Sequence, residues 1–145
     1  MKVALASDHA GFEQKELLKP YIESLGHEVI NLGPFNDERV DYPDYAAKLA
    51  HMVADNEVDK GVLVCGSGIG MAIAANKIKG IRASVITSPE FAALSRQHND
   101  LNVITLSGRL IPLELNKEIL KTWFESSFEE GRHAERLAKI ASLEA

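Results

Sequence analysis

The only cysteine of the chain stands directly before three glycines spaced two residues apart, in the stretch VLVCGSGIGMAIAANK (residues 62–77). Glycine at positions 66, 68 and 70 lets the backbone approach a ligand closely, and N–H groups at the start of the following helix favour an anion. Such a loop stabilises negative charge on a phosphate or on an enolate oxygen. A thiol on its rim feels the same field, so we expect the pKa of Cys65 to fall from about 8.5 toward neutrality. The alternative is that Cys65 is a buried apolar residue at a strand end.

The glycine spacing does not match the common nucleotide-binding motifs. A dinucleotide fingerprint needs a further glycine where Met71 or Ile73 stands, and no acidic residue lies near Ile86 to bind a ribose. A P-loop needs a lysine after the last glycine, and a cysteine phosphatase needs an arginine at position 71; neither is present. We therefore expect no nicotinamide or nucleotide site here.

Two more groups of polar residues follow apolar runs of the sequence. Asp8 and His9 come directly after the first run, and Arg109 comes shortly after the last one. In an open α/β sheet, ligands bind outside the carboxyl ends of the strands, which is where these residues would lie. The alternative for the first group is that Ser7 or Asp8 caps a helix and His9 is incidental.

Candidate binding residues also lie on two later helical segments. Arg132 and Arg136 are four residues apart, so a helix places both guanidinium groups on one face near its N-terminus, where an oxyanion is favoured. A solvated surface with Glu129 and Glu135 as partners is the alternative. The cluster His98-Asn99-Asp100 ends another helix, where Asn99 in the left-handed conformation would make an ordinary C-cap. The histidines show no metal-ligand spacing, so we expect no metal site.

The elements that must position these groups alternate regularly. Runs rich in Val and Ile each precede a segment of helical periodicity, directly or after a loop. This pattern predicts an α/β protein with a single-domain, three-layer α/β/α, Rossmann-like fold and a five-stranded parallel sheet. The predicted strands are Lys2–Ala6, Glu28–Leu32, Gly61–Cys65, Ile81–Ile86 and Asn102–Leu106. The predicted helices are Gly11–Leu25, Pro43–Asn56, Ile69–Lys77, Pro89–His98, Pro112–Phe124 and Arg132–Leu143, with Pro20 expected to bend or interrupt the first.

Length and composition limit the kind of protein. The 145 residues are 46% hydrophobic, which is enough for one well-cored domain spanning residues 1–145. A net charge of −5 without a dense basic cluster makes a nucleic-acid partner improbable. No apolar run is long enough for a membrane span or a secretory signal, and a single cysteine suits a reducing compartment. We expect a soluble, unprocessed, cytoplasmic protein.

Taken together, these clusters resemble a known family. The stretches SDHAGF, DYPDYA, VCGSGIGMAIAANKIKGIRA, SRQHNDLNVI, GR and EGRHAERL occur in this order and cover nearly the whole chain. They resemble the type B ribose-5-phosphate isomerases, a family that also includes allose-6-phosphate and galactose-6-phosphate isomerases. The base of the family is a cysteine in one branch and, in the other, a glutamate at the position of Met71. With Cys65 and no acid at position 71, this chain resembles the cysteine branch.

The resemblance implies an aldose–ketose isomerase with no metal or organic cofactor. The expected reaction interconverts ribose 5-phosphate and ribulose 5-phosphate through an enediolate, in the non-oxidative pentose phosphate pathway. The expected assembly is a homodimer, possibly a tetramer, with active sites shared between two chains. Allose-6-phosphate or galactose-6-phosphate isomerisation is the alternative. Two alternatives of other classes are less favoured: a non-catalytic module that binds a sugar phosphate or a nucleotide, and a hydrolase or transferase with Cys65 as nucleophile and a histidine partner.

The same resemblance assigns roles to individual residues. Cys65 is the base, Ser67 assists proton movement, and His98 opens the furanose ring. The backbone of Gly66, Gly68 and Gly70 binds the enediolate oxygens. The remaining substrate-binding residues are Asp8 and His9 around sugar and phosphate, Tyr42 closing over the substrate, Asn99 orienting it, and Arg109, Arg132 and Arg136 binding anionic or hydroxyl groups, with the last two on the phosphate.

Overall fold

Five parallel strands form one sheet in the computed structural model, which describes residues 1–144. They are β1 (Lys2–Ser7), β2 (Glu28–Gly33), β3 (Lys60–Cys65), β4 (Ala83–Val85) and β5 (Val103–Ser107), in the order β2-β1-β3-β5-β4. Strand β2 lies on one side of β1, whereas β3, β5 and β4 lie on its other side. The boundary between β1 and β3 is therefore the switch point at which open parallel sheets bind ligands.

Helices cover both faces of the sheet, as the alternating sequence pattern predicts. They are α1 (Phe12–Ser24), α2 (Tyr42–Ala54), α3 (Ile69–Ala75), α4 (Pro89–Asn99), α5 (Leu113–Glu125) and α6 (Arg132–Ser142). One core packs α1, α4 and α5 on the sheet around the buried Trp123, and the other packs α2 and α3 around Leu49 and Met71. Two buried layers on one sheet give the predicted three-layer α/β/α architecture.

Three local predictions differ from the structure. Pro20 lies inside α1 without interrupting it, because the helix loses one hydrogen bond there and keeps its packing through Leu18 and Ile22. The left-handed residue that ends α4 is Asp100 (φ 46°, ψ 48°), not Asn99. Asp100 is fixed there by the guanidinium of Arg96, 2.7 Å from its carboxylate. Strand β4 has three residues, about half the predicted length.

Helix α6 lies outside the two layers and packs mainly on α4. The segment leading to it is joined to α4 by the Glu129 amide, which donates to the Gln97 carbonyl at 3.0 Å. Near its far end, the Glu144 carboxylate accepts from the Gly80 amide at 3.0 Å. Within residues 1–144, no helix combines the length and the apolar character that crossing a bilayer requires.

Candidate active site

One group of sequence-predicted residues converges at the carboxyl edge of the sheet, around the boundary between β1 and β3. We call it the strand-end cluster: Asp8, His9, Tyr42, Cys65, the loop from Gly66 to Gly70, and Arg109. Ser7 at the end of β1 pairs with Val64, and Cys65 pairs with Ser107 at the end of β5. The register of three neighbouring strands thus brings together residues from four separate parts of the chain.

Cys65 is at the centre of this cluster and is 5% exposed. Its Sγ accepts a hydrogen bond from the Gly68 amide at 3.0 Å. Burial raises the pKa of the thiol, the amides of Met71, Gly68 and Ser67 lower it, and the charge of Asp8 raises it again, so that the pKa lies above its ordinary value. The expectation of a lowered pKa is therefore wrong for a single chain. The loop amides lower the pKa of the thiol as expected, but burial of Cys65 raises the pKa by more.

The glycine loop needs glycine at Gly68 for its conformation. This residue has φ +83°, and a Cβ there would also lie 2.8 Å from Val85 Cγ2. The left-handed turn sends the chain directly into α3 and leaves the Gly68 amide facing Cys65. Ser67 is half-buried on the loop, where its Oγ accepts from the Ile69 amide at 3.2 Å.

Tyr42 and His9 border the loop from the side of β1. Tyr42 begins α2, and its exposed ring lies over Gly70. His9 Nδ1 accepts a hydrogen bond from the Val40 amide at 3.3 Å, which leaves the proton of a neutral ring on Nε2. Asp8 is buried, and one of its oxygens accepts from the Gly11 amide at 3.0 Å. Asp8 therefore fixes the turn before α1, whose N-cap is Gly11 and has no side-chain cap, and at the same time places its charge near the thiol.

A buried lysine that the sequence did not reveal anchors Pro34, at the start of the loop that later carries Val40. Lys15 is fully buried, and its Nζ donates to the Pro34 carbonyl at 2.6 Å and to Asn31 Oδ1 at 2.9 Å. Burial lowers the pKa of Lys15, and neighbouring Glu16 opposes that shift. Its position inside a helical pattern gave no sign of this role, because lysines on helices usually face water.

Arg109 lies on the other side of the glycine loop. Its amide donates to the Gly66 carbonyl at 3.2 Å, and its side chain passes close to Gly66. The turn that carries it is fixed by Gln14, whose Nε2 donates to the carbonyls of Gly108 (3.0 Å) and Ile111 (2.8 Å). His9 and Arg109 line one cavity of about 540 Å³ together with the carboxylates of Glu13, Glu16 and Asp37, so a ring N–H and one permanent cation share this space with three acidic groups.

The other predicted residues form a second group, the helix cluster: His98, Asn99, Arg132 and Arg136. The ring of His98 stacks on that of His133 with centroids 4.4 Å apart and 12° between their planes. The exposed guanidinium groups of Arg132 and Arg136 make no ion pair with a carboxylate of residues 1–144, and Glu129 faces the two histidines instead. In this chain the two side chains are solvated, as the alternative expects, but neither Glu129 nor Glu135 forms an ion pair with them.

His98, Glu129 and His133 bring three potential metal ligands within 4.8 Å of one another. Their spacing along the chain does not reveal this cluster, because the three residues come from two elements and a connecting segment. Burial lowers the pKa of His133, the nearby His98, Arg132 and Arg136 lower it further, and Glu129 opposes them. Two exposed cationic side chains, Arg132 and Arg136, thus lie near the three potential ligands.

The two clusters lie at opposite edges of the sheet. Helix α4 runs from the carboxyl end of β4 toward the amino end of β5, so His98 in its last turn is near the amino edge of the sheet. A hydrogen bond agrees with this position: the Asn99 carbonyl accepts from the side chain of Arg82, which comes just before β4. From Val103 to Ser107, the partner of Cys65, the strand rises about 13 Å at about 3.3 Å per residue. One chain therefore cannot bring His98 and Cys65 to one small sugar.

Comparison with known proteins finds relatives of the chain that are sugar-phosphate isomerases. Residues 3–140 match the model of the ribose/galactose isomerase family. Ribose-5-phosphate isomerase B of Escherichia coli is 46% identical over 143 residues, which cover 99% of this chain and 96% of that protein. The solved structure of ribose-5-phosphate isomerase B from Clostridium thermocellum superposes with a TM-score of 0.98 at 43% identity, covering 99% and 97% of the two chains. That from Mycoplasma genitalium, solved with bound ribulose 5-phosphate, gives 0.94 at 39% identity, covering 99% and 95%.

Proposed function

The chain belongs to the ribose/galactose isomerase family, and we propose that it interconverts ribose 5-phosphate and ribulose 5-phosphate through an enediolate, as a step of the non-oxidative pentose phosphate pathway. The observation that carries this proposal is the position of Cys65. Its Sγ accepts a hydrogen bond from the Gly68 amide of the glycine loop, at the switch point of the sheet. Close relatives of nearly the same length are ribose-5-phosphate isomerases B, which favours the five-carbon substrate over six-carbon phosphates.

The reaction needs a base and a site for negative charge in the same place. Moving the carbonyl from C1 to C2 removes a carbon-bound proton that is far less acidic than any side chain, so the developing enediolate must be stabilised while the proton leaves. Cys65, as thiolate, takes the proton from C2 and returns it to C1. The amides of the loop from Gly66 to Gly70 stabilise the oxygens, and Ser67 assists proton movement between them.

Binding groups surround this reacting centre. His9 donates from Nε2, because its Nδ1 is occupied by the Val40 amide, and Arg109, whose side chain lies against Gly66, adds a fixed positive charge beside the loop. Asp8 orients the sugar hydroxyls, and Tyr42 covers the substrate from above the loop. These groups bind substrate in the strand-end cluster of one chain.

A second copy of the chain completes the site. The helix cluster carries the ring-opening His98, the orienting Asn99, and two exposed guanidinium groups without a carboxylate partner in residues 1–144, yet it is at the wrong edge of its own sheet. In a homodimer, the helix cluster of one copy faces the strand-end cluster of the other, so Arg132 and Arg136 bind the phosphate there. Their positive charge also lowers the pKa of the thiol from the high value that burial gives it in one chain. We propose a cytoplasmic location, because the pathway to which we assign the reaction operates on metabolites of that compartment.

Turnover of sugar phosphates tests this function. We expect conversion of ribose 5-phosphate to ribulose 5-phosphate with a higher kcat/KM than conversion of allose 6-phosphate or galactose 6-phosphate, and incorporation of solvent deuterium at C1 of the ketose. Exhaustive treatment with EDTA should leave turnover unchanged, because no residue of the mechanism requires a metal. A binding module would show no turnover, and a Cys65 nucleophile would form a covalent intermediate that mass spectrometry detects. Either of these results would contradict the proposal.

A further inference from the structure

Two side-chain amides from the helices α1 and α5 support the turn that carries Arg109. Gln14 on α1 donates from Nε2 to the Gly108 carbonyl at 3.0 Å and to the Ile111 carbonyl at 2.8 Å. Asn116 on α5 donates from Nδ2 to Gln14 Oε1 at 2.8 Å. The same Nδ2 also donates to a carbonyl at the end of β5, at 2.9 Å. The carbonyl side of the turn is therefore held by these two side chains.

Asn116 determines which way the amide of Gln14 faces. Asn116 is fully buried, and because its Nδ2 donates to Gln14 Oε1, the NH₂ group of Gln14 is the part that points to the turn. An amide nitrogen has two N–H donors, which suffice for the two carbonyls that Gln14 binds. One of these carbonyls comes before Arg109 and the other comes after it. The turn is thus held on both sides of Arg109.

The two carbonyls that Gln14 binds have no other donor within residues 1–144. One belongs to the Ile111–Pro112 peptide, which has no N–H because proline lacks one, so Gln14 supplies the hydrogen bond of this peptide alone. The other belongs to the Gly108–Arg109 peptide, whose N–H donates to a carbonyl of the glycine loop at 3.2 Å. Removal of Gln14 would therefore leave the first peptide without a hydrogen bond and the second with one.

A turn without these bonds would stay folded but would be less fixed in direction. Leu110 is 75% exposed and adds little packing, whereas Ile111 packs its partly buried side chain against the core. Arg109 is exposed, and its side chain passes from this turn to the glycine loop. We propose that Gln14 and Asn116 are positioning residues, which direct the guanidinium of Arg109 toward the substrate. This inference rests on the proposed function for its effect on substrate binding, whereas its effect on the turn does not.

The kinetic test is a double-mutant cycle between Gln14 and Arg109. Gln14→Leu keeps a side chain of similar size and removes both hydrogen bonds to the turn. We expect it to raise KM for ribose 5-phosphate by about three- to tenfold, with kcat within about threefold of the parent. In the Arg109→Ala background, Gln14→Leu should change KM by less than about twofold, because the group that it positions is absent. An equal rise of KM in both backgrounds would show that Gln14 does not act through Arg109 and would overturn the inference.

The role of Asn116 is tested by the same cycle. Asn116→Leu frees the amide of Gln14 to turn, so we expect KM to rise with kcat little changed, and this rise should also disappear in the Arg109→Ala background. A KM for Asn116→Leu equal to that of the parent would contradict the part of the inference that concerns Asn116.

A second test does not need turnover. Amide hydrogen exchange, followed by NMR without substrate, reports how firmly the turn is held. In Gln14→Leu we expect the hydrogen-bonded amides of Arg109 and Leu110 to exchange at least about threefold faster than in the parent. The Asp8 amide, which donates to a carbonyl of β3, is the internal control and should stay within about twofold.

Gln14→Glu gives the same measurement if Gln14→Leu does not fold. It keeps the acceptor for Asn116 but has no N–H for the turn, so the exchange of the Arg109 and Leu110 amides should rise as well. If the parent failed to isomerise ribose 5-phosphate while the exchange still rose, the proposed function would fail and the positioning of the turn would stand. Unchanged exchange of both amides in the folded variants would overturn the inference.

Discussion

The ring of Tyr42 lies against Gly70 so closely that a Cβ at residue 70 would stand 2.6 Å from Tyr42 Cε1 and 3.0 Å from its hydroxyl oxygen. Gly70→Ala should therefore displace the ring that covers the substrate and raise KM for ribose 5-phosphate by about tenfold, although alanine suits a helix better than glycine. A double-mutant cycle with Tyr42→Ala measures the coupling. In the Tyr42→Ala background, Gly70→Ala should cause little further change; an equal rise in KM in both backgrounds would contradict the contact as the cause.

The separation of the strand-end and helix clusters predicts complementation between inactive variants. Cys65→Ala and Arg132→Ala homodimers should each have two defective sites. In a mixed dimer both defects fall in one site, so after unfolding and refolding equal amounts together about one quarter of all sites should be intact. The measurement is the activity of the mixture relative to each variant refolded alone.

The matched control for complementation is a pair of defects from one cluster. Cys65→Ala mixed with Arg109→Ala should regain no activity, because each site of the mixed dimer then carries one defect. If mixed dimers of Cys65→Ala and Arg132→Ala form and show no more activity than this control pair, each chain builds its own site and the shared-site proposal is wrong.

Replacing His98 should separate ring opening from isomerisation. Ribulose 5-phosphate is open-chain because its O5 carries the phosphate, so exchange of its C1 proton with D₂O reports the enediolate step without ring chemistry. We expect His98→Asn to slow turnover of ribose 5-phosphate at least about tenfold more than this exchange. NMR in D₂O measures both rates. Equal losses would remove the ring-opening role.

The pKa of Cys65 predicts how activity depends on pH. Burial raises the pKa of the thiol and the charge of Asp8 adds to this, while the loop amides lower it. The base is the thiolate, so kcat/KM should rise with pH, by about tenfold per unit below the pKa. The measurement runs from about pH 7 upward, where the substrate phosphate is already dianionic. The midpoint should coincide with that of Cys65 alkylation; kcat/KM that is flat while the thiol titrates would exclude the thiolate as base.

The sequence predicted most of the fold because strands and helices here carry strong local signals. Runs such as Gly61–Cys65 are apolar on both faces, as a doubly covered parallel sheet requires, and each helix begins within one residue of a proline or directly after a glycine. Strand order was not predictable in this way, since it depends on packing between distant segments. Tertiary packing also explains why α1 continues through Pro20, since the contacts of the helix outweigh the local tendency of proline to interrupt it.

The candidate site was predictable in its residues but not in its arrangement. Asp8, Cys65 and Arg109 follow strands, so their convergence follows from parallel topology. The distance of His98 from these residues could not be predicted, because a motif match does not tell which chain of a dimer supplies a given site residue. The pKa of Cys65 was predicted in the wrong direction, because the neighbouring residues in the sequence do not show how deeply the thiol is buried. Thr105, whose hydroxyl donates to the Gly68 carbonyl at 2.7 Å, was missed because a hydroxyl inside an apolar strand looks like any other core position.

The assignment of Cys65 as base is tested most directly by the turnover of ribose 5-phosphate in Cys65→Ala. A positioned general base contributes about 10²- to 10⁴-fold to a rate, so kcat should fall at least about a hundredfold, while calorimetry should give an affinity for ribose 5-phosphate within about threefold of the parent. Cys65→Ser, which keeps a polar group of similar size but does not ionise in this range, should be impaired to a similar degree. Turnover of Cys65→Ala within tenfold of the parent would contradict the account, because the proton would then be removed by another group.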